Sequence, residues 1–372
     1  MATIRGGIRE QFDWPLFITI GVIAFLGVTN LYSATSAGKA SMVDIYLTQI
    51  YWIALGAVVA AIVAAIDYRH YERHGWVAYS IGVSLLILLF ALGRSVRGSV
   101  RWLSIGAFSL QPSELMKIFL IIALAKYLHN DPKTTGRTLR DLVPPGLILS
   151  LPMVLILKQP DLGTALICCA IFGSIMLLTN LKLQSLMTLA VCFTAAIPLT
   201  WAFILEPYQK ERALSFWSSF TEPEKDMLGS GWHAYQSKVA IGSGGMWGKG
   251  FLQSTQNQYG FVPDQHSDFP FAIFAEEHGL IGVTVLLGAY LFLIIRGLKV
   301  ASQAKDRFGA VLAVGVSAMF FFHTIINVGM VMGLLPVVGI TLPLFSHGGS
   351  SVLTFMIGIG LLMNVSIRRF HF

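Results

Sequence analysis

Long apolar runs dominate the chain, and polar residues are confined largely to the stretches between them. A bilayer hydrocarbon core of about 30 Å takes roughly 20 apolar residues in helical conformation. Ten runs approach that length: Trp14–Tyr32, Tyr46–Ile66, Trp76–Leu92, Leu115–Leu128, Leu142–Leu157, Thr164–Thr179, Ser185–Leu205, Phe269–Ile295, Ala310–Met332 and Ser351–Ile367. Inside lipid a helix satisfies every backbone N–H and C=O within its own segment, so each run reads as a spanning helix. The fourth, fifth and sixth are short and are expected to extend into their loops. The pattern predicts an all-α integral membrane protein with ten transmembrane helices, a single domain over residues 1–372. One long loop, about 206–268, separates the seventh run from the eighth. That exceeds the usual connection of about 4–6 residues.

Composition agrees with this reading. The chain is 55% hydrophobic and only 12% charged, against roughly 25% charged in a soluble domain. A water-soluble fold of this apolarity would expose large greasy patches, which excludes that class. Trp14–Tyr32 is long enough to span and no small-residue cleavage site follows it, so the first helix is expected to stay attached. Cys168, Cys169 and Cys192 lie inside apolar runs and read as small hydrophobes, not as disulfides or metal ligands.

The net charge of +7 follows from topology rather than from an acidic partner, and no nucleic-acid partner is expected. With both termini cytoplasmic, most Lys and Arg fall in inner segments, as the positive-inside rule requires. The stretch "GRSVRGSVRW" breaks the rule by placing Arg94, Arg97 and Arg101 outside. Those arginines are expected to have another task. The long loop is also external in this topology.

The even-numbered runs then all begin at the outer face, and polar motifs lie at their starts. They are "QPSELMK" (Gln111–Lys117), "QPDLGT" (Gln159–Thr164), "HSDF" (His266–Phe269) and "SHGGSS" (Ser346–Ser351). Ser113, Asp161, Asp268 and Ser350 are each candidate N-caps. Taken singly, a cap is the simplest account of each. Four such starts on one face, beside Arg97, Arg101 and Lys117, suggest instead a site for a phosphorylated, lipid-attached ligand, because helix N-termini bind phosphate. Lys117 has a structural alternative, an i,i+3 pair with Glu114, and Trp102 could be an interfacial belt residue.

"IGSGGMWGKG" lacks Walker spacing, and its glycines are expected to permit a close approach instead. His266 and His347 have no ligand spacing that supports zinc. Glu276 and Glu277 receive no chemical role. Asp268 is the sharpest candidate: an acid at the lip of a membrane helix beside cations, suited to general-base work on a sugar hydroxyl.

These motifs, with "RWL", "IGSGG", "AEEHGLIG" and "LLPVVGITLPLFSHGGSS", resemble those of the SEDS family of cell-wall proteins, in order and through most of the chain. "GKGFLQSTQ" (Gly248–Gln256) is closer to the elongation members than to the division members. The resemblance implies a peptidoglycan glycosyltransferase of the bacterial cytoplasmic membrane that polymerises lipid II at the outer face. It also implies a class B penicillin-binding protein as partner, among the membrane proteins of the elongation complex.

The family's essential aspartate falls on Asp268. Ser267 stands where Thr is usual, Pro270 where Ile is usual and His347 where Tyr is usual. Substrate-binding groups are expected among Arg97, Arg101, Trp102, Ser113, Glu114, Lys117, Asp161, Arg212, Lys238, His266, Ser346 and Ser350. No cofactor is expected, with a divalent cation, Mg²⁺ or Mn²⁺, left open. A lipid II flippase, a division-type polymerase and a pure scaffold are the rival readings. A partner helix is expected on the eighth and ninth runs, where Gly282, Gly288, Gly309, Gly315 and Ser317 permit close approach.

Overall fold

The computed structural model describes residues 12–36, 44–96, 99–105, 108–131, 133, 136–203, 205–221, 231–261 and 266–369. Every one of the ten apolar runs falls on a helix. Among the described residues, eight helices are long and apolar enough to cross a membrane. They include α1 (Trp14–Ser36), α2 (Ile45–Ala65) and α4 (Gly75–Leu92), with the short α3 (Tyr68–Arg73) between the last two. α6 (Val143–Leu157), extended back to Leu139 by a 3₁₀ turn, and α8 (Leu183–Phe203) also qualify. The two remaining runs fall on α5 (Pro112–Asn130), which carries Glu114, Lys117 and Lys126, and on α7 (Leu162–Leu177), which has 16 residues.

The core is built from α5, α13 (Arg307–Val331) and α14 (Gly349–Arg368), whose side chains are buried nearly all round. A helix apolar on every face belongs either inside a bundle or against lipid. α2, α4, α6 and α8 take the second option and turn Tyr51, Val58, Val77, Ile87, Leu147, Val154, Met187 and Val191 outward. Buried ion pairs fasten the ends of the helices away from the polar motifs. Asp13 meets Arg296 at 2.6 Å, and the wholly buried Arg137 meets Asp131 at 2.8 Å.

Three features depart from the sequence reading. The fold is not purely helical, because β1 (Arg94–Val96), β2 (Ser99–Ile105) and β3 (Phe108–Leu110) form a small antiparallel sheet in the order β1-β2-β3. The long loop is itself structured, with α9 (Pro207–Thr221), α10 (Trp232–Gly244) and α11 (Thr255–Gln258). The eighth helix, α12 (Pro270–Ser302), is broken at Gly279, which has φ 63° and ψ −165°. Its first nine residues form a separate short helix, buried from Pro270 to Glu277.

The glycine-rich stretch explains that break. Leu280 and Ile281 donate their N–H groups to the carbonyls of Gly245 and Met246, at 2.9 and 3.2 Å. Lys249 and Gly250 donate to the carbonyls of Glu276 and Glu277, at 2.9 and 3.0 Å. The backbone groups that a helix break strands are thus paired with the loop. A Cβ on Gly248 or Gly279 would collide with backbone atoms across this contact. The close approach anticipated for these glycines is to the protein's own helix.

Glu276 and Glu277 have a structural role here. Glu276 accepts from Lys249 Nζ at 2.6 Å, Thr255 N at 3.1 Å and Ser254 Oγ. Glu277 accepts from Ser33 Oγ of α1, and Ser33's carbonyl takes a 2.7 Å bond from Asn257.

The small residues expected to receive a partner mostly face inward. Gly315 lies against Ile121 and Ile175, Ser317 sits beside Gly297, and both Gly309 and Gly315 are buried. Gly288 alone of the five is exposed with open space around it.

Gly279→Ala forces a side chain into a positive-φ position and against backbone. It should destabilise the protein by about 1–3 kcal/mol, read as a lower midpoint of thermal unfolding in detergent. Gly21→Ala, where a Cβ meets nothing within 4 Å, is the control and should leave the midpoint unchanged. Equal midpoints for the two variants would contradict the break as a strained, tightly docked junction.

Candidate active site

The starts of α5, α7, α12 and α14 surround one cavity of about 970 Å³. Its wall takes Arg101 and Trp102 from β2, Gln111 and Glu114 from the start of α5, and Asp161 and Thr164 from the start of α7. Tyr208, Gln209 and Arg212 of α9 close one side. Ser267, Asp268, His347, Ser351 and the segment 336–341 close another. Two structured connections, the sheet and α9, therefore complete a site whose floor is made of helix ends.

Asp161 caps α7 as its sequence position suggests. Its carboxylate accepts from Thr164 N at 3.3 Å and Thr164 Oγ1 at 2.9 Å. It also accepts from Gln111 Nε2 at 3.0 Å and Ser113 Oγ at 3.2 Å, which joins the starts of α5 and α7. The other three expected caps are elsewhere. The N-cap positions belong to Gln111, Phe269 and Gly348, none with a side-chain cap bond. Pro takes the first turn of α5 and of α12, where its missing N–H is harmless. Ser113 and Ser350 are displaced into the helices. Ser350 accepts from Gln111 N at 2.9 Å and donates to Ser109 O at 3.1 Å, so it stitches α14 to α5.

The cations are held in different ways. Lys117 is wholly buried behind the wall, 2.8 Å from Glu114 Oε1 and 2.8 Å from His323 Nε2. The pair with Glu114 is the structural alternative noted above. A buried lysine needs such a partner, since an unpaired buried charge costs several kcal/mol. Glu114 Oε2 has no hydrogen-bond partner among the described residues, and Glu114 reaches the cavity wall.

Arg101 turns its guanidinium onto carbonyls, with Nε 3.2 Å from Gln159 O and Nη2 on Pro160 O. Tyr208 donates to the same Pro160 carbonyl at 2.9 Å. Arg212 donates to Val337 O at 3.2 Å, with its guanidinium 5.8 Å from the centre of the Tyr208 ring. Lys238 lies off the main wall in an adjoining recess that Arg212 also lines.

Of the expected site residues, Asp268, Arg101, Trp102, Glu114, Asp161 and Arg212 reach the cavity. Ser113, Lys117, His266, Ser346 and Ser350 do not line it. Ser346 accepts from Leu342 N at 2.9 Å inside its own turn. Arg97 falls outside the described residues. His266 contributes its carbonyl to His347 N at 2.8 Å, and the two rings are 6.3 Å apart. Among the described residues, no group of three or more His, Cys, Asp and Glu side chains could hold a metal ion.

Sequence reasoning missed Gln111, Tyr208, Gln209, His323 and Thr341. Tyr208 and Arg212 stand at i,i+4 on α9. Read as loop, that segment had no face on which to place them.

A bundle of apolar helices enclosing a polar cavity at one set of helix ends defines a multi-pass membrane protein. The FtsW/RodA/SpoVE family model, described as "Cell cycle protein", matches residues 13–371, and the chain belongs to that family. It is 38% identical over 346 residues to the peptidoglycan glycosyltransferase MrdB of Escherichia coli (strain K12), covering 91% of this chain and 90% of that one. It is 33% identical over 441 residues to the peptidoglycan glycosyltransferase RodA of Treponema pallidum (strain Nichols), covering 98% and 99%.

Among solved structures, a chain of a peptidoglycan synthase complex that coordinates polymerization and crosslinking superposes with a TM-score of 0.80 at 29% identity, over 97% of this chain and 99% of that one. The rod shape determining protein RodA of Thermus thermophilus superposes with a TM-score of 0.72 at 27% identity, over 97% and 98%.

His347 introduces a pH dependence. Burial, and secondly the neighbouring His266, push its imidazole down from 6.5 to about 4. Between those values the unfolded chain binds a proton that the folded chain does not, so stability falls as pH drops through that window. The thermal midpoint should therefore decline more steeply from pH 7 to pH 4.5 in the natural protein than in His347→Tyr. Parallel declines would remove His347 as the cause.

Proposed function

We propose that this chain is a peptidoglycan polymerase that joins lipid II units into glycan strands during wall elongation, with Asp268 as general base. The observation that carries this reading is Asp268 on the wall of the 970 Å³ cavity, together with Arg101, Arg212 and the starts of four helices. The names of the relatives support the reaction class.

In the reaction, the Asp268 carboxylate takes the proton of the 4-hydroxyl of GlcNAc on one lipid-linked disaccharide. The freed oxygen attacks the anomeric carbon of MurNAc on the growing chain. The bond from that carbon to the polyprenyl pyrophosphate breaks, and the pyrophosphate leaves with the bonding electron pair. One such displacement converts the α link of the donor into the β link of the glycan. Arg101 and Arg212 are the wall cations suited to the departing charge, with Lys238 beside Arg212 and Arg97 four residues before Arg101 in the sequence. Glu114, oriented by Lys117, and Trp102 border the space for the sugars. We assign no resident cofactor; a divalent cation, Mg²⁺ or Mn²⁺, enters only as a counter-ion of the pyrophosphate.

In the membrane we place ten spans, both termini in the cytoplasm and the cavity at the outer face, following the lysine and arginine distribution. Similarity to a chain of a synthase complex that couples polymerization to crosslinking supports a class B penicillin-binding protein as partner. We place its helix on the outward face of α12, where Gly288, Leu291, Phe292 and Ile295 are exposed.

Asp268→Asn keeps the shape and removes the base, a change worth about 10²–10⁴-fold in rate. Purified protein given labelled lipid II should lose chain growth by that order while its thermal midpoint holds. Near-normal glycan length from the variant, in a preparation free of other polymerases, would overturn the role of Asp268. Gly288→Leu should lower the yield of co-purified partner; an unchanged yield would move the docking face elsewhere.

A further inference from the structure

The turn that carries Asp268 is fastened from three sides through its backbone carbonyls. Asn327, wholly buried in α13, donates from Nδ2 to the Asp268 carbonyl at 3.0 Å and to the Ile340 carbonyl at 2.7 Å. Asn30, in α1, donates to the Pro270 carbonyl at 2.9 Å. His347 N donates to the His266 carbonyl at 2.8 Å.

Asn327 is the member that spans two parts of the wall. One amide nitrogen holds both the Asp268 turn and the segment 336–341. A Cβ built on Gly339, next to Ile340, would lie 3.5 Å from Asp268 Oδ2. The carboxylate thus stands directly against the strand of chain that Asn327 ties to it.

The chemistry demands a carboxamide. Two carbonyl oxygens converge on one atom, and an NH₂ group supplies the two donors they require. Turning the amide over would set its oxygen against both carbonyls, so its orientation is determined by its partners. Asn327 Oδ1 has no hydrogen-bond partner among the described residues, a cost accepted at this position. An aspartate would place an anion against two carbonyls, and a leucine would leave both buried and unpaired.

We propose that Asn327 is a positioning residue for glycosyl transfer. By bonding the Asp268 and Ile340 carbonyls to one nitrogen, it sets the distance and direction at which the Asp268 carboxylate meets the attacking hydroxyl. The proposal rests on the reading of Asp268 as the base. Asn327 itself lies off the cavity wall. Its loss therefore removes no side chain that lines the cavity and acts on the rate of the chemical step.

The test uses the full chain with its co-purified partner and fluorescent lipid II as probe. For Asn327→Asp, Asn327→Leu and Asp268→Asn, three quantities are read: kcat and KM for polymerisation, the number of lipid II molecules bound per chain, and the thermal midpoint. A displaced catalytic group costs up to about 100-fold. The expected result is a fall in kcat of about 10- to 100-fold for both Asn327 variants, with KM and binding stoichiometry close to those of the natural protein. Unchanged kcat in Asn327→Asp would overturn the proposal, as would a fall in kcat matched by an equal loss of binding sites. The latter marks Asn327 as a folding residue only. Asp268→Asn separates the two levels: if it polymerises normally, the general-base reading falls and the positioning role falls with it. If it is inactive while Asn327→Asp is normal, only the positioning role is lost.

Discussion

The break in α12 at Gly279 is the constraint on which the site depends. A continuous helix beginning at Pro270 would bury its first turns as part of a lipid-crossing rod. The break instead makes the first nine residues a separate element, enclosed on every side, with Asp268 at its mouth. Four backbone hydrogen bonds to the glycine-rich stretch replace those lost at the kink. The loop can come that close only because Gly244, Gly248 and Gly279 carry no side chain. Glu276 then ties the same loop to α12, and Glu277 ties α12 to α1. Acids that are expensive in a membrane helix are thus tolerated where hydrogen bonds surround them.

The buried polar groups near the cavity obey the same rule. Lys117 is matched by Glu114 and His323, and Asp161 by three side chains and a backbone N–H. Arg101 and Tyr208 share the Pro160 carbonyl, so β2 and α9 are anchored to the start of α7. The wall is therefore preorganised, its dipoles oriented before any substrate arrives. Such fixed groups stabilise developing charge without reorganising when it appears.

Much of this was legible in the sequence. Apolar runs are a strong signal in a membrane protein, and all ten fell on helices. The convergence of "QPSELMK", "QPDLGT", "HSDF" and "SHGGSS" followed from helix direction alone. What escaped was whatever depends on contacts between distant segments. Gly279 looks like any glycine inside a spanning helix until the loop against it is known. Ser113 and Ser350 resemble caps by type, but a neighbouring proline or glycine shifts the true helix start by two residues. Arg101 shows as one of three outer arginines in a single stretch, whereas its carbonyl partners, Gln159 and Pro160, lie far along the chain. Gly315 has the composition of a docking residue and serves instead to admit Ile121.

The central claim is that the cavity joins sugars rather than passing a lipid across the membrane. Its wall gathers polar groups at one set of helix ends, which suits chemistry at one surface. The most direct measurement places the purified protein in vesicles with fluorescent lipid II, then follows glycan length by gel and label position by a quencher that cannot cross the membrane. The account predicts a ladder of lengthening glycan strands formed from substrate in the leaflet that the cavity faces. Label moving between leaflets with no strand growth would contradict it.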